Sequence, residues 1–218
     1  MKNTKRGLLI SIEGPIGVGK TTLSNILNSH FNSFSLREIV EENPFLSQFY
    51  TNIKEYALQT ESFFFFNRVK QLEDIEDSLK KGTMVISDYN IIKNLIFAGL
   101  TLNNKQFHKY KQVYDIFVNE LPQSDIIIHL NSNTDTLMKK IALRDRNFER
   151  QMDRNYINNL REEYEYYFNE RSLKHYFGEK TPIIINVDNT NMDFINCQKD
   201  REWIINQVED SIKNLGGI

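Results

Sequence analysis

The chain has 218 residues, of which 40% are hydrophobic and 26% charged, with a formal net charge of -2. Such a composition suits one sizeable α/β domain spanning residues 1–218, and the near balance of charge gives no global pull toward nucleic acid or a membrane surface. A single cysteine, Cys197, excludes an internal disulfide and fits a reducing compartment.

The chain starts with a short basic stretch that includes Lys2, Lys5 and Arg6. The apolar run behind it ends at Glu13, too short for a signal-peptide core or a bilayer span, so a cytoplasmic protein is expected. Residues 3–6 and Gly216-Gly217 read as frayed ends. Five short apolar runs, at 8–12, 35–40, 84–87, 126–130 and 183–187, lack strict alternation and read as strands covered on both faces. Longer segments of helical spacing separate them. Leu23, Ile26, Leu27 and Phe31 form one apolar stripe, and 201–215 reads as a closing helix through Ile204, Ile205, Val208 and Ile212. Alternating strands and helices predict a parallel sheet with right-handed crossovers. Phe63-Phe64-Phe65-Phe66 would point all round a helix, which predicts a largely buried core helix that also suits subunit packing.

Gly14-Pro15-Ile16-Gly17-Val18-Gly19-Lys20-Thr21 matches the phosphate-binding pattern G-x-x-x-x-G-K-[ST], with a predicted strand before it and a helix after it. Glycines let the backbone curl until its N–H groups converge on phosphate oxygens, and the helix N-terminus adds the positive end of its dipole. Lys20 would reach the β- and γ-phosphates of ATP, and the Thr21 hydroxyl would ligate Mg²⁺. Two acids fall at the carboxyl ends of predicted strands, Glu38 near the end of the second and Asp88 after the third. Ligands of open parallel sheets bind at those ends. A carboxylate there either takes the proton of an attacking hydroxyl or holds Mg²⁺ through water; the alternative is a solvated loop acid or a helix cap.

In its ordered motifs the chain resembles the deoxyribonucleoside kinase family, in its bacterial deoxyadenosine/deoxyguanosine kinase branch. The matching pieces run from Ile12-Glu13-Gly14 through Lys20-Thr21-Thr22, then Glu38-Ile39-Val40-Glu41-Glu42-Asn43-Pro44-Phe45-Leu46 to Phe49-Tyr50. Arg68-Val69-Lys70-Gln71-Leu72, Ser87-Asp88-Tyr89 and Arg144-Asp145-Arg146 complete them. The resemblance implies a P-loop kinase fold with a five-stranded parallel sheet and an arginine-rich lid at about 140–152. It implies Glu38 as the catalytic base, with Glu41 and Glu42 as rivals, and Ile39 stands where the family usually has proline. Tyr50 and Glu149 match the pair on the sugar 3′-hydroxyl, and Lys140, Arg144 and Arg146 match the lid that closes over the triphosphate. One departure stands out. Tyr89-Asn90 follow Asp88 where the family has Arg and then Ser or Thr, so the arginine contact to the 5′-oxygen is lost or supplied from elsewhere.

By the same resemblance, Glu61 occupies a base-reading slot usually filled by glutamine. An amide offers a donor beside an acceptor, which suits adenine; a carboxylate accepts only, which suits the adjacent N1–H and amine donors of guanine. Arg68, seven residues on and roughly on the same helical face, could fork onto guanine O6 and N7. The competing reading is an internal Glu61–Arg68 ion pair. Phe97 is expected to stack on the base or simply to join the core, and Asn94 to orient Arg68.

These readings predict transfer of the ATP γ-phosphate to deoxyguanosine, with deoxyadenosine or both purines as the alternative. A thymidylate-kinase-like enzyme needs cations for its acceptor's phosphate, and Glu38, Tyr50, Glu61 and Glu149 make a mainly acidic set. A regulatory nucleotide switch would have no use for Glu61, Arg68 and Tyr50 at these spacings. The family implies dimers, a homodimer or a heterodimer with a sister kinase.

Overall fold

A computed structural model describes residues 6–150, 152–178 and 181–216. The parallel sheet has the order β2-β3-β1-β4-β5, built from β1 (Leu9–Glu13), β2 (Phe34–Leu36), β3 (Val85–Ser87), β4 (Ile126–Asn131) and β5 (Ile183–Asp188). The central strand β1 sets Ile12 opposite Ile128 of β4 and Ser11 opposite Ser87 of β3. Every neighbour is parallel, so each strand end carrying a loop toward the site faces the same way.

Side chains alternate across this sheet and divide the core in two. On one face Leu9, Val85 and Ile127 pack with α2 (Leu46–Phe49), α3 (Ile53–Lys80), α4 (Lys93–Thr101), α5 (Asn104–Val118), α7 (Arg154–Tyr167) and α8 (Glu170–Phe177). On the other, Ile10, Ile12, Ile86, Ile126 and Ile128 pack with α1 (Lys20–Phe31), α6 (Thr134–Arg144) and α9 (Gln198–Asn214). The apolar stripe of α1 is realised, with Leu23 and Leu27 buried and Ile26 and Phe31 at the edge of the same core. The predicted closing helix starts three residues earlier than its apolar spacing indicates, at Gln198.

Three expectations change. The second strand ends at Leu36 rather than residue 40, because the Asp88 side chain accepts the Glu38 N–H at 2.8 Å and takes it from the ladder. The four phenylalanines do not bury α3 all round: Phe65 is 1% exposed, but Phe66 is 49% exposed. The frayed-end reading fails at Arg6, which pairs with Asp125 at 2.9 Å; residues 3–5 and Gly217 lie outside the described residues. Among the described residues no helix is long and apolar enough to cross a membrane.

Candidate active site

The phosphate loop links β1 to α1 and takes backbone shapes that require glycine. Gly14 has φ 146° and Gly19, the residue capping α1, has φ 107°. A Cβ on Gly14 would also lie 2.2 Å from the Leu130 carbonyl oxygen. Thr22 and Thr21 follow Lys20 in the first turn of α1. The Lys20 ammonium donates to the carbonyls of Gly14 at 2.7 Å and Pro15 at 3.1 Å. Burial, and next the Lys93 ammonium, push its pKa down to about 7; an anion arriving at the loop acts in the opposite sense.

Beneath the loop, Glu13 is fully buried, and its carboxylate collects three donors. They are the N–H of Gly14 at 3.1 Å, the N–H of Asn90 at 2.8 Å and the Tyr164 hydroxyl at 2.7 Å. Donors of this kind stabilise the anion and fix the strand, the loop and α7 to one another.

Asp88 spans the junction between the two sides. One carboxylate oxygen accepts from the Thr21 hydroxyl at 2.7 Å, and the other holds the Glu38 N–H. Two oxygen groups so placed beside a phosphate loop suit Mg²⁺, a hard cation that binds through one or two protein groups with phosphate oxygens and water. The Glu38 carboxylate in turn is gripped by two cations. Arg68 donates to Oε1, and Lys93 donates to Oε2 at 2.7 Å. Burial pushes this carboxyl up, but Lys93 and Arg68 outweigh it and hold it well below the usual carboxylate range. Glu41 and Glu42, the rival bases, are exposed.

Helix α3 carries Glu61 and Arg68, 2% and 3% exposed. Glu61 accepts from the Thr101 hydroxyl at 3.1 Å, and burial pushes its pKa up to about 7 against the opposing pull of Arg68. Arg68 forms its ion pair with Glu38, not with Glu61. Its guanidinium carbon lies 5.0 Å from the Phe64 ring centroid and 5.7 Å from that of Tyr89, and its Nε and Nη1 have no hydrogen-bond partner. Asn94 does not orient it. The Asn94 amide donates instead to the Tyr110 hydroxyl at 2.9 Å, which donates to the Glu61 carbonyl at 3.2 Å, so Asn94 braces α3. Phe97, on α4, is partly buried against the core, with the Lys93 ammonium 5.4 Å from its centroid.

Tyr50 follows α2 and stacks on Phe148 at 6.2 Å. Burial, and next the Glu149 carboxylate, raise its pKa, so the phenol stays protonated. Glu149 sits in a 3-10 turn (Asn147–Glu149) after α6, buried, and takes a two-pronged contact from Arg144, through Nε at 3.0 Å and through Nη2. Arg146 approaches it at 4.0 Å. Lys140 lies on α6 and is half-buried, which lowers its pKa. Lys140 and Arg144 therefore lie on α6 and Arg146 at the turn behind it, and the charge of Arg144 is felt at Lys20.

A phosphate loop between a strand and a helix, with carboxylates and cations gathered beside it, suits phosphoryl transfer. The sequence profile described as "Deoxynucleoside kinase" matches residues 10–213. The chain belongs to the deoxynucleoside kinase family. Among relatives, a deoxyguanosine kinase of Bacillus subtilis is 42% identical over 204 residues, covering 93% of this chain and 97% of its own. A deoxyguanosine kinase of Lactobacillus acidophilus is 27% identical over 223 residues, covering 95% of this chain and 92% of its own. A solved deoxyadenosine kinase from M. mycoides with bound dATP shares the fold, with a TM-score of 0.77, 24% identity, and coverage of 93% of this chain and 99% of that one.

Three side chains of this kinase escape a reading by spacing. Lys93 is a lone cation within the apolar run Ile91-Ile92-Lys93-Asn94-Leu95-Ile96; that isolation is its signal. Glu13 ends an apolar strand where a charge is out of place, and Tyr164 reaches it from 151 residues away.

Proposed function

We propose that this deoxynucleoside kinase transfers the γ-phosphate of ATP to the 5′-hydroxyl of deoxyguanosine, as a cytoplasmic enzyme of purine deoxynucleoside salvage. The observation that carries the reading is the pairing on α3 of a buried carboxylate, Glu61, with a buried guanidinium, Arg68, that has two unpaired donors. Guanine presents donors at N1 and N2 and acceptors at O6 and N7, a complementary set. Leaving such groups unpaired costs about 1–3 kcal/mol each, which is the scale of discrimination available. The relatives named as deoxyguanosine kinases support the same choice.

Glu38 takes the proton of the 5′-hydroxyl as the oxygen attacks the γ-phosphorus. Tyr50 and Glu149 hold the 3′-hydroxyl, so the sugar is oriented before reaction. Phe97 stacks on the base. The backbone N–H groups of the loop and Lys20 bind the phosphates, and Lys140, Arg144 and Arg146 supply positive charge from the lid at 140–152. Thr21 and, through water, Asp88 would hold Mg²⁺, which supplies charge neutralisation of the nucleotide. Phe66 on α3 and Val113 and Ile116 on α5 are 49%, 37% and 68% exposed and suit an interface in a homodimer, or in a heterodimer with a sister kinase.

The test is an acceptor panel with labelled ATP and Mg²⁺: deoxyguanosine, deoxyadenosine, deoxycytidine, thymidine and thymidylate. Preferred conversion of deoxyguanosine, shifting toward deoxyadenosine in Glu61→Gln, is the expected result. Equal use of all nucleosides would sink the Glu61 assignment. Transfer to thymidylate alone would sink the nucleoside acceptor itself.

A further inference from the structure

Lys93 is expensive to keep where it is. Its side chain is 8% exposed. It opens α4, where the helix dipole disfavours a cation. Neutralising Glu38 does not explain it, because Arg68 already does so on the other carboxylate oxygen. Each oxygen of that carboxylate is taken by its own cation.

The two cations also lie against different rings. Arg68 has Phe64 and Tyr89 as its ring neighbours. Lys93 has one ammonium hydrogen on Glu38 Oε2 and the Phe97 ring 5.4 Å away. Tyr89 cannot supply a cation here: it is buried, and its hydroxyl donates to the Gln71 side chain at 3.0 Å.

We infer that Lys93 is a catalytic residue that hydrogen-bonds the 5′-oxygen of the acceptor and carries the cationic role beside the base. The inference rests on the kinase reading above, with Glu38 as base. Lys93 keeps its proton throughout. The 5′-hydroxyl proton passes to a free lone pair of the Glu38 carboxylate, the 5′-oxygen bonds to the γ-phosphorus, and the bond to the bridging oxygen breaks with its electron pair leaving on ADP. Lys93 stabilises negative charge that accumulates on the attacking oxygen and the transferred group, a contribution that grows toward the transition state.

Lys93→Gln separates this role from a structural one, because the amide still donates to Glu38 Oε2 but carries no charge. With deoxyguanosine and ATP, the variant should lose roughly 10²–10³-fold in kcat while both KM values stay within about threefold, the scale of one missing donor to a developing charge. Small alkylamines added to Lys93→Ala should restore part of that kcat, and Lys93→Arg should keep more activity than Lys93→Gln. Wild-type kcat in Lys93→Gln, or a loss confined to KM or to thermal stability, would overturn the inference. So would the absence of amine rescue in a folded Lys93→Ala. A wild-type enzyme that ignores deoxyguanosine would instead defeat the functional reading, so the two failures are told apart.

Discussion

Thr21 Oγ1 lies 2.7 Å from Asp88 Oδ2, and the other oxygen of the same carboxylate holds the backbone N–H of Glu38 at 2.8 Å. One aspartate thus joins the first turn of α1 to the segment that carries Glu38, the proposed base. Asp88→Ala should therefore act on both. It leaves the Glu38 N–H unpaired, which destabilises by about 1–3 kcal/mol, and it raises the Mg²⁺ concentration for half-maximal rate. Thermal unfolding and a Mg²⁺ titration of initial rates check the two effects.

Glu38→Gln removes the proton acceptor and should lower kcat by roughly 10²–10⁴-fold. It also leaves Arg68 and Lys93 facing one another without their shared anion. Removing one partner of a buried ion pair typically costs about 3–5 kcal/mol, so the melting temperature should fall as well. An inactive variant with unchanged stability would place the two cations elsewhere.

The proposed reading of the nucleobase by Glu61 predicts a pH-dependent choice of base. Below about 7 its carboxyl is neutral and presents a donor beside an acceptor, as an amide does. Above that pH it accepts only. The ratio of kcat/KM for deoxyguanosine to that for deoxyadenosine should rise from pH 6 to pH 8, and Lys20, common to both acceptors, cancels in the ratio. A flat ratio would refute carboxylate readout of the base.

The same shift sets a stability term. Burial holds the folded-state pKa of Glu61 above the 4.5 of a free glutamate side chain. Its contribution is fully present below about 4.5 and is lost as pH rises toward about 7. Glu61→Gln should therefore melt higher than wild type at pH 8, by roughly 1–3 kcal/mol of stability, with less difference at pH 4.5. Denaturant unfolding at the two pH values measures it.

Tyr50→Phe should raise the KM for deoxyguanosine by roughly 2–10-fold, the scale of one hydrogen bond. The decisive comparison uses 2′,3′-dideoxyguanosine. Wild type should use it poorly, and Tyr50→Phe should suffer little further loss, because the contact is already gone.

The phosphate loop was legible because its chemistry is written in one continuous stretch. Gly14 and Gly19 need their backbone shapes, and Lys20 and Thr21 follow at fixed offsets. The strands were legible to within a residue or so wherever apolar runs cross the sheet. The second strand was not, since its end is decided by Asp88, fifty residues away. Side-chain pairing was the least readable layer. The helical spacing of Glu61 and Arg68 permitted an ion pair that the fold does not make, because Glu38, arriving from another element, offers Arg68 a closer anion. Phe66 was expected inside with its neighbours, but α3 offers its inner face to one side only.

The division of the core by the sheet has an evolutionary consequence. Helices α1 and α6, which carry Lys20 and Lys140, pack on one face, whereas α3 and α4, which carry Glu61, Arg68 and Phe97, pack on the other. On the proposed assignment of these residues, substitutions that retune nucleobase preference need not disturb the packing beneath the phosphate loop. A lineage built on this plan can change its diet of nucleosides by small steps while inheriting its ATP machinery intact.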